Sequence, residues 1–446
     1  MASTTETLVL GHVCSKIGSG ATPKGGKEVY LAAGPFALIR SQNVLNSGFS
    51  KNGLAYISEE QAKALDGVTI EQGDVLLNIT GDSVARVCQV PNSALPARVN
   101  QHVAIIRPRP AVLDPSFLRY FLVSPEQQTM LLTLASSGAT RNALTKGMIE
   151  QIEVPTVPIE EQKQIARILA SFDDRIEHNR TLTDNLEAIA RRLFKAWFVD
   201  FDPVRAQAAG EKPAGLADDL AALFPDRFVG SELGEIPEGW ACNKVSELCE
   251  TIFSGGTPHT QTPGYWGGSL PWLSSGETRS RFIVETEKTI TQIGVDNSST
   301  RKARAGDVVI ASAGQGATRG QTSLLALDTY INQSVVALRA SKEAYSSALL
   351  FLDLSSRYDE MRSISDSHSS RGSLTTKLLG SMLSVAPPKP VVVAFDALVS
   401  PMIERIVVAE RENSRLGTIR DLLLPRLVSG KLSVTDAESL IEEVIV

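Results

Sequence analysis

The chain contains 446 residues, of which 43% are hydrophobic and 21% charged, and its formal net charge is −6. This composition excludes collagen-like, fibrous and low-complexity proteins and predicts an ordinary globular protein of two or three domains. No apolar run approaches the roughly 20 residues of a membrane-spanning helix, and the start of the chain lacks the layout of a signal peptide, so we expect a cytoplasmic location.

Cysteine and histidine usage gives no sign of a metal site. The 4 cysteines include no Cys-x-x-Cys pair and the 5 histidines are scattered, whereas zinc sites place their ligands at short, fixed spacings. We therefore expect reduced, partly buried thiols. The negative net charge argues against a protein that coats nucleic acid by bulk electrostatics, but a local basic face is compatible with it.

The sequence repeats itself with a displacement of 230 to 235 residues. Arg86 and Arg319 also coincide at a displacement within this range. A nearly constant displacement over several collinear matches indicates a tandem duplication. Four motifs return in the same order: Ile17–Pro23 as Ile252–Pro258, Gly73–Leu77 as Gly306–Ile310, Asn100–Val103 as Asn332–Val335, and Leu144–Thr145 as Leu374–Thr375.

Each repeat begins with a block of short strands. Runs rich in β-branched residues, bounded by Gly, Pro, Asn and Ser, are typical of strands with turns between them. The clearest runs are Val75–Ile79, Val103–Arg107, Val308–Ala311 and Val335–Leu338.

A long helix follows the first block. Pro158 and the acidic pair after it favour a helix start, and neither Gly nor Pro occurs from there to Phe198. Asn179 stands within the heptad pattern, where a polar residue fixes register if it is partnered, although an exposed Asn beside the seam is an equal alternative. The predicted seam combines Ile165, Phe172, Asn179, Leu186 and Leu193 with Ile168, Leu182 and Ile189, which follow three residues on.

The second repeat carries a matching helix. Its seam is predicted to hold Phe395, Met402, Ala409, Leu416 and Leu423, with Leu398 and Ile419. Pro401 indicates that this helix either begins there, with Ser400 as its N-cap, or is kinked. Two amphipathic helices of similar length pair most simply with each other, antiparallel, with the β-rich blocks at opposite ends.

Motifs of common enzyme classes are missing. Lys27 and Lys431 follow a glycine but lack the second glycine of a phosphate-binding loop. The run Gly314–Gly316 is a near miss of a dinucleotide fingerprint and is better interpreted as a tight turn. Asp114–Phe117 is a near miss of an amino-methyltransferase motif and predicts a helix start. A binding protein is therefore favoured over an enzyme.

The segments that end the two long helices resemble those of type I restriction–modification specificity (S) subunits. The resemblance rests on LFKAWFVDFDP at Leu193–Pro203 and LPRLVSGKL at Leu424–Leu432, together with the Ser-Gly-x-Thr-Pro and Asn-Gln-x-Val motifs of both repeats. It covers nearly the whole chain.

This resemblance implies an α+β fold with two β-rich target recognition domains, joined by two long antiparallel helices that form a coiled-coil spacer. The implied domains are residues 1–158 (target recognition domain 1), 159–202 (first helical spacer), 203–227 (linker), 228–390 (target recognition domain 2), 391–432 (second helical spacer) and 433–446 (an acidic tail).

The resemblance also implies a function and partners. Each target recognition domain would read one half of a split target in double-stranded DNA, and the helices would set the spacing of the halves. The chain itself would be non-catalytic, bind no cofactor, and dock two modification subunits, which methylate adenine at N6 with S-adenosylmethionine. Two ATP- and Mg-dependent restriction subunits would complete the complex. Two alternatives remain open: a stand-alone two-headed DNA-binding scaffold or regulator, and an enzyme with an unrecognised site.

Base reading requires side chains with paired donors or acceptors, such as Arg for guanine and Asn or Gln for adenine. The candidate DNA-binding residues lie in predicted loops, and for each of them phosphate contact or plain solvation is an alternative. In the first block they are Arg40, Gln42, Asn43, Arg86, Thr140, Arg141 and Asn142, and in the second Ser274, Ser275, Glu277, Arg319, Ser370 and Arg371.

Two further sets of residues have open interpretations. Asn100–Gln101 and Asn332–Gln333 could read adenine, but their presence in both repeats favours a structural turn. Phe194, Trp197 and Phe198 either form a docking surface for a modification subunit or pack within the chain.

Overall fold

In the computed structural model, which describes residues 7–137, 142–314, 316–341, 345–368 and 372–445, the first repeat forms short strands and helices ahead of one long helix. Its strands are β1 (Thr7–Val9), β2 (Cys14–Ser19), β3 (Phe36–Ile39), β4 (Val44–Leu45), β5 (Gly48–Phe49), β6 (Ala55–Ile57), β7 (Val75–Asn78), β8 (Val87–Gln89), β9 (Ala97–Val99), β10 (Val103–Pro108) and β11 (Glu153–Pro155). Its helices are α1 (Leu10–Val13), α2 (Glu59–Ala64), α3 (Pro115–Val123), α4 (Pro125–Ser136), α5 (Lys146–Glu150) and the long α6 (Ile159–Phe198).

Two sheets build the core of this repeat. One is antiparallel, in the order β2-β10-β7-β8, and the other is mixed, in the order β6-β3-β9. Ile105 and Leu76 pack toward the mixed sheet, while their chain neighbours Ile106 and Leu77 pack toward α3. Because successive side chains of a strand point to opposite faces, a strand buried on both faces must be apolar throughout, as these sequences are.

The second repeat follows a short connection that contains α7 (Asp202–Ala208) and α8 (Asp218–Ala221). Its strands are β12 (Phe228–Ser231), β13 (Gly234–Pro237), β14 (Ala241–Lys244), β15 (Cys249–Ser254), β16 (Trp266–Leu273), β17 (Phe282–Ile283), β18 (Lys288–Ile290), β19 (Arg301–Ala303), β20 (Val308–Ala311), β21 (Thr322–Leu325), β22 (Thr329–Ile331), β23 (Val335–Ala340) and β24 (Leu383–Ala386). Its helices are α9 (Val245–Leu248), α10 (Gln292–Asp296), α11 (Ser347–Ser356), α12 (Tyr358–His368), α13 (Thr376–Ser381), α14 (Lys389–Val428) and α15 (Val434–Ile445).

The strand order of the second repeat matches that of the first. The order β15-β23-β20-β21 corresponds to β2-β10-β7-β8, with β17 added at its edge, and the mixed sheet β18-β16-β22 corresponds to β6-β3-β9, with β19 added. In both repeats the central strand of the mixed sheet pairs in parallel with the strand that follows the antiparallel hairpin. The predicted strands, the duplication and the α+β class are therefore confirmed.

The two long helices have equal length, 40 residues each. The first begins one residue after Pro158, as the sequence predicts. The second begins at Lys389 and continues through Pro401, so the prediction that it could begin at Pro401 is wrong. Pro401 and Ala397, whose carbonyl loses its helical partner to the proline, are both exposed, so that carbonyl can be hydrated.

The helices pair in antiparallel fashion, but their buried faces differ from the predicted seam. Residues that follow the heptad positions by four, such as Leu169 and Ile176, are buried, whereas Ile189, which follows by three, is 49% exposed. The same holds for α14, where Val399 is buried and Leu398 is 37% exposed. Each helix also packs against its own β-rich block, which widens and rotates the buried face beyond a simple two-helix seam.

The chain divides into two compact units that do not follow sequence order. Unit 1 contains residues 1–177 and 414–446, and unit 2 contains residues 178–413. Each long helix is therefore shared, and each unit holds one end of both. The segment predicted as an acidic tail includes α15, whose Ala437 is fully buried in the core of unit 1.

Candidate nucleic-acid interface

Three loops of the first repeat lie side by side. The Asn78 side chain donates to the Ser41 carbonyl at 2.8 Å, and the backbone N–H of Val87 donates to the Asn46 side chain at 2.8 Å. Leu144 N–H donates to the carbonyl of Ile79 at 2.9 Å. Residues 40–53, 79–87 and 142–144 therefore form one group, here named the first loop cluster.

The second repeat brings its corresponding loops together in the same way. Ser323 donates to the carbonyl of Ser280 at 2.6 Å, and Leu374 N–H donates to the carbonyl of Ser312 at 2.8 Å. Residues 274–281, 312–314, 316–321 and 372–374 form the second loop cluster. The sequence placed its candidates in separate loops, and the fold assembles those loops into one cluster per repeat.

In the first loop cluster, Arg40 and Gln42 reach the same carbonyl. The Arg40 guanidinium donates to Gly53 O and lies 5.4 Å from the centre of the Tyr30 ring, while the exposed Gln42 amide donates to Gly53 O at 3.1 Å. Gln42 is exposed and Arg40 is half-buried, and both side chains could exchange this carbonyl for a DNA partner.

Asn43 lies inside the loop. It is fully buried, its amide oxygen accepts from Arg40 N–H at 3.0 Å, and its amide nitrogen donates to the carbonyl of Ser50 at 2.9 Å. In this conformation Asn43 holds the loop closed rather than presenting its amide edge outward.

Arg86 and Asn142 are exposed members of the first loop cluster. Among the described residues the Arg86 side chain has no ion-pair partner, which leaves its guanidinium available to phosphate or guanine. Two other candidates of this loop, Thr140 and Arg141, lie outside the described residues.

In the second loop cluster, Glu277 takes the place of Asn43. It is 6% exposed, and its carboxylate accepts from the backbone N–H of Ser274 at 2.8 Å and of Glu287 at 2.8 Å. Ser274 is the N-cap of the turn, and Ser275 is half-buried within it. The two repeats thus stabilise equivalent loops with different side chains, because an amide and a carboxylate can both accept from the N-cap backbone N–H.

Arg319 differs from Arg86 in both environment and position. It is 7% exposed, donates to the carbonyl of Gly372 at 2.8 Å and pairs with Asp366. The strand register aligns Ala85 with Gly320, since both have positive φ (71° and 88°) and both donate to the last residue of the preceding strand.

The loop of the second repeat is therefore two residues longer than that of the first. Leu77 pairs with Val87, whereas Ile310 pairs with Thr322. Arg86 consequently corresponds to Gln321 rather than to Arg319. The equivalence of Arg86 and Arg319 that the constant displacement predicted is therefore wrong. Ser370 and Arg371 lie outside the described residues.

The duplicated Thr-Pro and Asn-Gln motifs contact each other in both repeats. Thr22 donates to Gln101 and Thr257 donates to Gln333, and the Asn100 and Asn332 side chains accept from the backbone two residues on. This geometry favours the structural turn over adenine reading for these residues.

Phe194, Trp197 and Phe198 lie in the core of unit 2. They are 5%, 2% and 6% exposed. The Phe194 ring packs on Phe198, Trp197 packs on Phe395, and Phe198 packs on both Trp240 and Phe395, with 4.9 Å between the ring centres of Phe198 and Phe395. The structure therefore favours internal packing for these aromatic side chains over a docking surface.

Several residues that support the first loop cluster escaped the sequence prediction. Asn46 and Gln128 hold two loops of the first cluster together, with a 2.9 Å hydrogen bond between their amides, and Arg119 donates to the carbonyl of Asn46 at 3.1 Å. These residues occur in one repeat only, so the repeat comparison gave no signal for them.

The described part of the chain lacks two kinds of feature. None of its helices combines the length and apolar surface that a membrane crossing requires. The same residues contain no group of three or more His, Cys, Asp or Glu side chains placed to hold a metal ion.

Comparison with known proteins gives consistent matches. The type I restriction modification DNA specificity domain family matches residues 3–188. The type I restriction enzyme HindI specificity subunit of Haemophilus influenzae is 27% identical over 441 residues, with 88% of this chain and 94% of the relative covered. The MjaIX specificity subunit of Methanocaldococcus jannaschii is 23% identical over 429 residues, with 94% and 92% covered.

Among solved structures, the type I restriction–modification S subunit from M. genitalium shares the fold. The TM-score is 0.62 at 15% sequence identity, and the superposition covers 96% of this chain and 97% of that subunit.

Proposed function

We propose that this chain, which is similar to type I restriction–modification specificity subunits, recognises a bipartite DNA target, one half-site with each loop cluster. The observation that carries this proposal is the duplication. The same strand order and the same grouping of loops occur twice, while the side chains of the two loop clusters differ. Two readers of different half-sites require a shared scaffold with divergent loops.

The chemistry of the loop clusters supports reading of two different sequences. Arg86 corresponds to Gln321, and an Arg suits guanine whereas a Gln suits adenine. A residue present in both repeats would suit the phosphate backbone, which is the same at both half-sites. Arg86 is therefore a better candidate for a base contact than a shared arginine would be.

The long helices support a fixed gap between the half-sites. At about 1.5 Å per residue, 40 residues extend about 60 Å, which exceeds one DNA turn of about 34 Å. A helix pair of this length is a stiff connection, so the gap would be constant rather than variable.

The proposal includes partners. The chain would dock two modification subunits that methylate adenine at N6 from S-adenosylmethionine, and two ATP- and Mg-dependent restriction subunits would join this complex. The specificity subunit itself would bind none of these cofactors and would be non-catalytic.

The decisive experiment is co-expression of this chain with a candidate adenine methyltransferase subunit, followed by mapping of N6-methyladenine across the host genome by single-molecule sequencing. We expect one split motif with a constant gap. Replacing residues 7–158 by the corresponding segment of another family member should change one half of the motif and leave the other half intact.

A stable complex without bipartite methylation would contradict the proposal and favour a stand-alone DNA-binding scaffold or regulator. Methyl transfer by the purified chain alone would instead favour an enzyme. A motif that changed in both halves after the replacement would contradict the assignment of one half-site to each block.

A further inference from the structure

An arginine connects the first loop cluster to the long helices within unit 1. Arg119 on α3 has a 9% exposed side chain and donates to the carbonyl of Asn46, at 3.1 Å, and to Asp173 on α6, at 2.5 Å. The other carboxylate oxygen of Asp173 accepts from Arg420 on α14 at 2.6 Å. This network, Arg119–Asp173–Arg420, is named the arginine triad below.

The arginine triad is charged at neutral pH. Burial raises the pKa of Asp173, but the charge of Arg119 and the hydrogen bonds from Arg119, Arg420 and Tyr120 outweigh burial and hold that pKa below its usual value. A charged, bidentate network is rigid, because both carboxylate oxygens are held in fixed directions.

Asn46 connects the arginine triad to the loop that carries the exposed candidate Arg86. Its side-chain oxygen accepts from Val87 N–H at 2.8 Å, and its amide nitrogen donates to Gln128 at 2.9 Å. Arg86 directly precedes Val87. The path from the helices to an exposed candidate reader therefore consists of direct contacts within unit 1.

The second repeat has apolar residues where the first has the triad. The N-caps Asp114 and Ser346 mark equivalent helix starts, so Arg119 corresponds to Phe351. The helices α6 and α14 have equal length, so Asp173 of α6 corresponds to Ile403 of α14, and Arg420 of α14 corresponds to Ala190 of α6. The three apolar residues are 1%, 9% and 2% exposed and belong to one cluster. Joining a block to the helices therefore does not require ions at these positions.

The second repeat nevertheless has an arginine tether, at a different position. Arg281, at the end of the loop that corresponds to residues 41–47, forms an ion pair with Glu187 on α6, and its guanidinium lies 5.4 Å from the centre of the Phe351 ring. Its carbonyl accepts from Leu324 N–H at 2.9 Å. Ser47 occupies the position of Arg281 in the first repeat, so neither repeat could have inherited its tether from the other.

We propose that Arg119 and Arg281 are positioning residues for DNA recognition, each of which fixes the reading loop of its own repeat on the long helices. The loops are residues 41–47 in unit 1 and 275–281 in unit 2. The two repeats reach the same result with arginines at unrelated positions, which indicates a requirement of recognition rather than of folding. A loop displaced by about 1 Å would lose the directional hydrogen bonds that distinguish bases.

This inference rests on the proposed function. It is tested with a variant in which the triad is replaced by the residues at the corresponding positions of the second repeat. The substitutions Arg119→Phe, Asp173→Ile and Arg420→Ala replace the triad by the apolar trio found there, next to a cavity of about 270 Å³ that leaves room for the new ring. Replacing a buried ion network by matched apolar residues is often neutral for stability, so the variant should fold and assemble.

The measurement is the methylation of sites with one mismatched base pair relative to cognate sites, separately for each half of the motif. We expect the triple variant to lose about tenfold in discrimination within the half read by unit 1, with the other half unchanged. The pair Arg281→Met and Glu187→Gln should show the opposite pattern.

Matched controls separate positioning from general damage. Asp66→Asn removes the partner of Arg98 in unit 1 without touching the loop cluster and should leave both halves unchanged. Arg119→Lys keeps the charge beside Asp173 but cannot bridge to Asn46 with a fork, so it tests the tether if the triple variant fails to assemble. It should show the same selective loss.

The outcomes distinguish the inference from the function on which it rests. If the wild-type complex yields no split motif, the proposed function fails. If it yields one and the variants discriminate as the wild type does, the positioning role is overturned and the triad serves only packing. Equal losses in both halves would also overturn it.

Discussion

Asp74 and Asp307 explain why the Gly-Asp-Val motif recurs in both repeats. Each carboxylate is almost fully buried and accepts two hydrogen bonds from one arginine, Arg107 in the first repeat and Arg339 in the second, at distances of 2.7 to 2.9 Å. Each also accepts from a backbone N–H three residues earlier. The motif therefore encodes a buried ion pair that ties a turn to the central strand.

We expect Asp74→Asn and Asp307→Asn each to destabilise their own unit by about 3 kcal/mol, because the new amide nitrogen cannot accept the hydrogen bonds that the half-buried arginine donates to the buried carboxylate. Asp328→Asn is the matched control, since its pair with Lys302 is half exposed and is worth less than about 1 kcal/mol. Urea unfolding measures the difference. Equal effects of buried and exposed substitutions would contradict this account.

The roles of the polar loop residues could be predicted from the sequence only in part. Gln42 and Arg86 do lie at the surface of a loop cluster and Arg40 is half-buried there, but Asn43 and Glu277 are turned inward and cap their turns. Polar residues in a loop satisfy either the loop backbone or a ligand, and composition does not distinguish these uses. Only the direction of each side chain does.

At the scale of elements, the long helices show a polar layer within an otherwise apolar interface. Asn179 is fully buried and donates to Glu412 at 3.0 Å and to Asn413 at 3.1 Å. The sequence left open whether Asn179 faced the partner helix, and the structure settles that it does. Burial raises the pKa of the neighbouring Glu410, opposed by the charge of Arg180.

We expect Asn179→Asp to destabilise unit 2 by about 3 kcal/mol at pH 7, because a second carboxylate would lie beside Glu412. The raised pKa of Glu410 means that the folded state holds its proton more tightly than the unfolded state. The stability that protonated Glu410 contributes is therefore lost as pH rises from 4.5 through the raised pKa of Glu410. The loss in the variant should shrink as pH falls toward 5, because protonation of the new carboxylate and of Glu410 removes negative charge from this polar layer.

Thermal unfolding between pH 5 and 8 measures this dependence. His178→Asp adds the same charge at an exposed neighbouring position and should have little effect at any pH. If both variants lost the same stability, the polar layer would have no special role in the helix pair.

The whole molecule is assembled from segments that are distant in sequence. Unit 1 requires residues 414–446 as well as 1–177, and its core includes Leu427 of α14 and Ala437 of α15. Unit 1 therefore cannot complete its core until the last segment has been made. Such long-range contacts slow folding because loop closure costs entropy before the contacts form.

Deletion of residues 434–446 tests this dependence. We expect unit 1 to lose about 3 kcal/mol, because Val434, Ala437 and Ile441 pack against its core. Hydrogen exchange should accelerate in residues 7–177 and remain unchanged in residues 228–388. Replacement of the exposed Glu438 by Gln is the control within the same helix, and unchanged exchange after the deletion would contradict the prediction.

The sequence by itself determined the duplication, the α+β class, the long helices and the resemblance to type I restriction–modification specificity subunits. These follow from local periodicity and from repeated motifs, and both are properties of neighbouring residues. The tertiary structure decided which loops meet, which residues of the helices are buried, and that Arg86 and Arg319 are not equivalent. Those outcomes depend on strand register and on contacts between distant segments, where two extra residues in one loop change which side chains correspond and leave almost no trace in the pattern of the sequence.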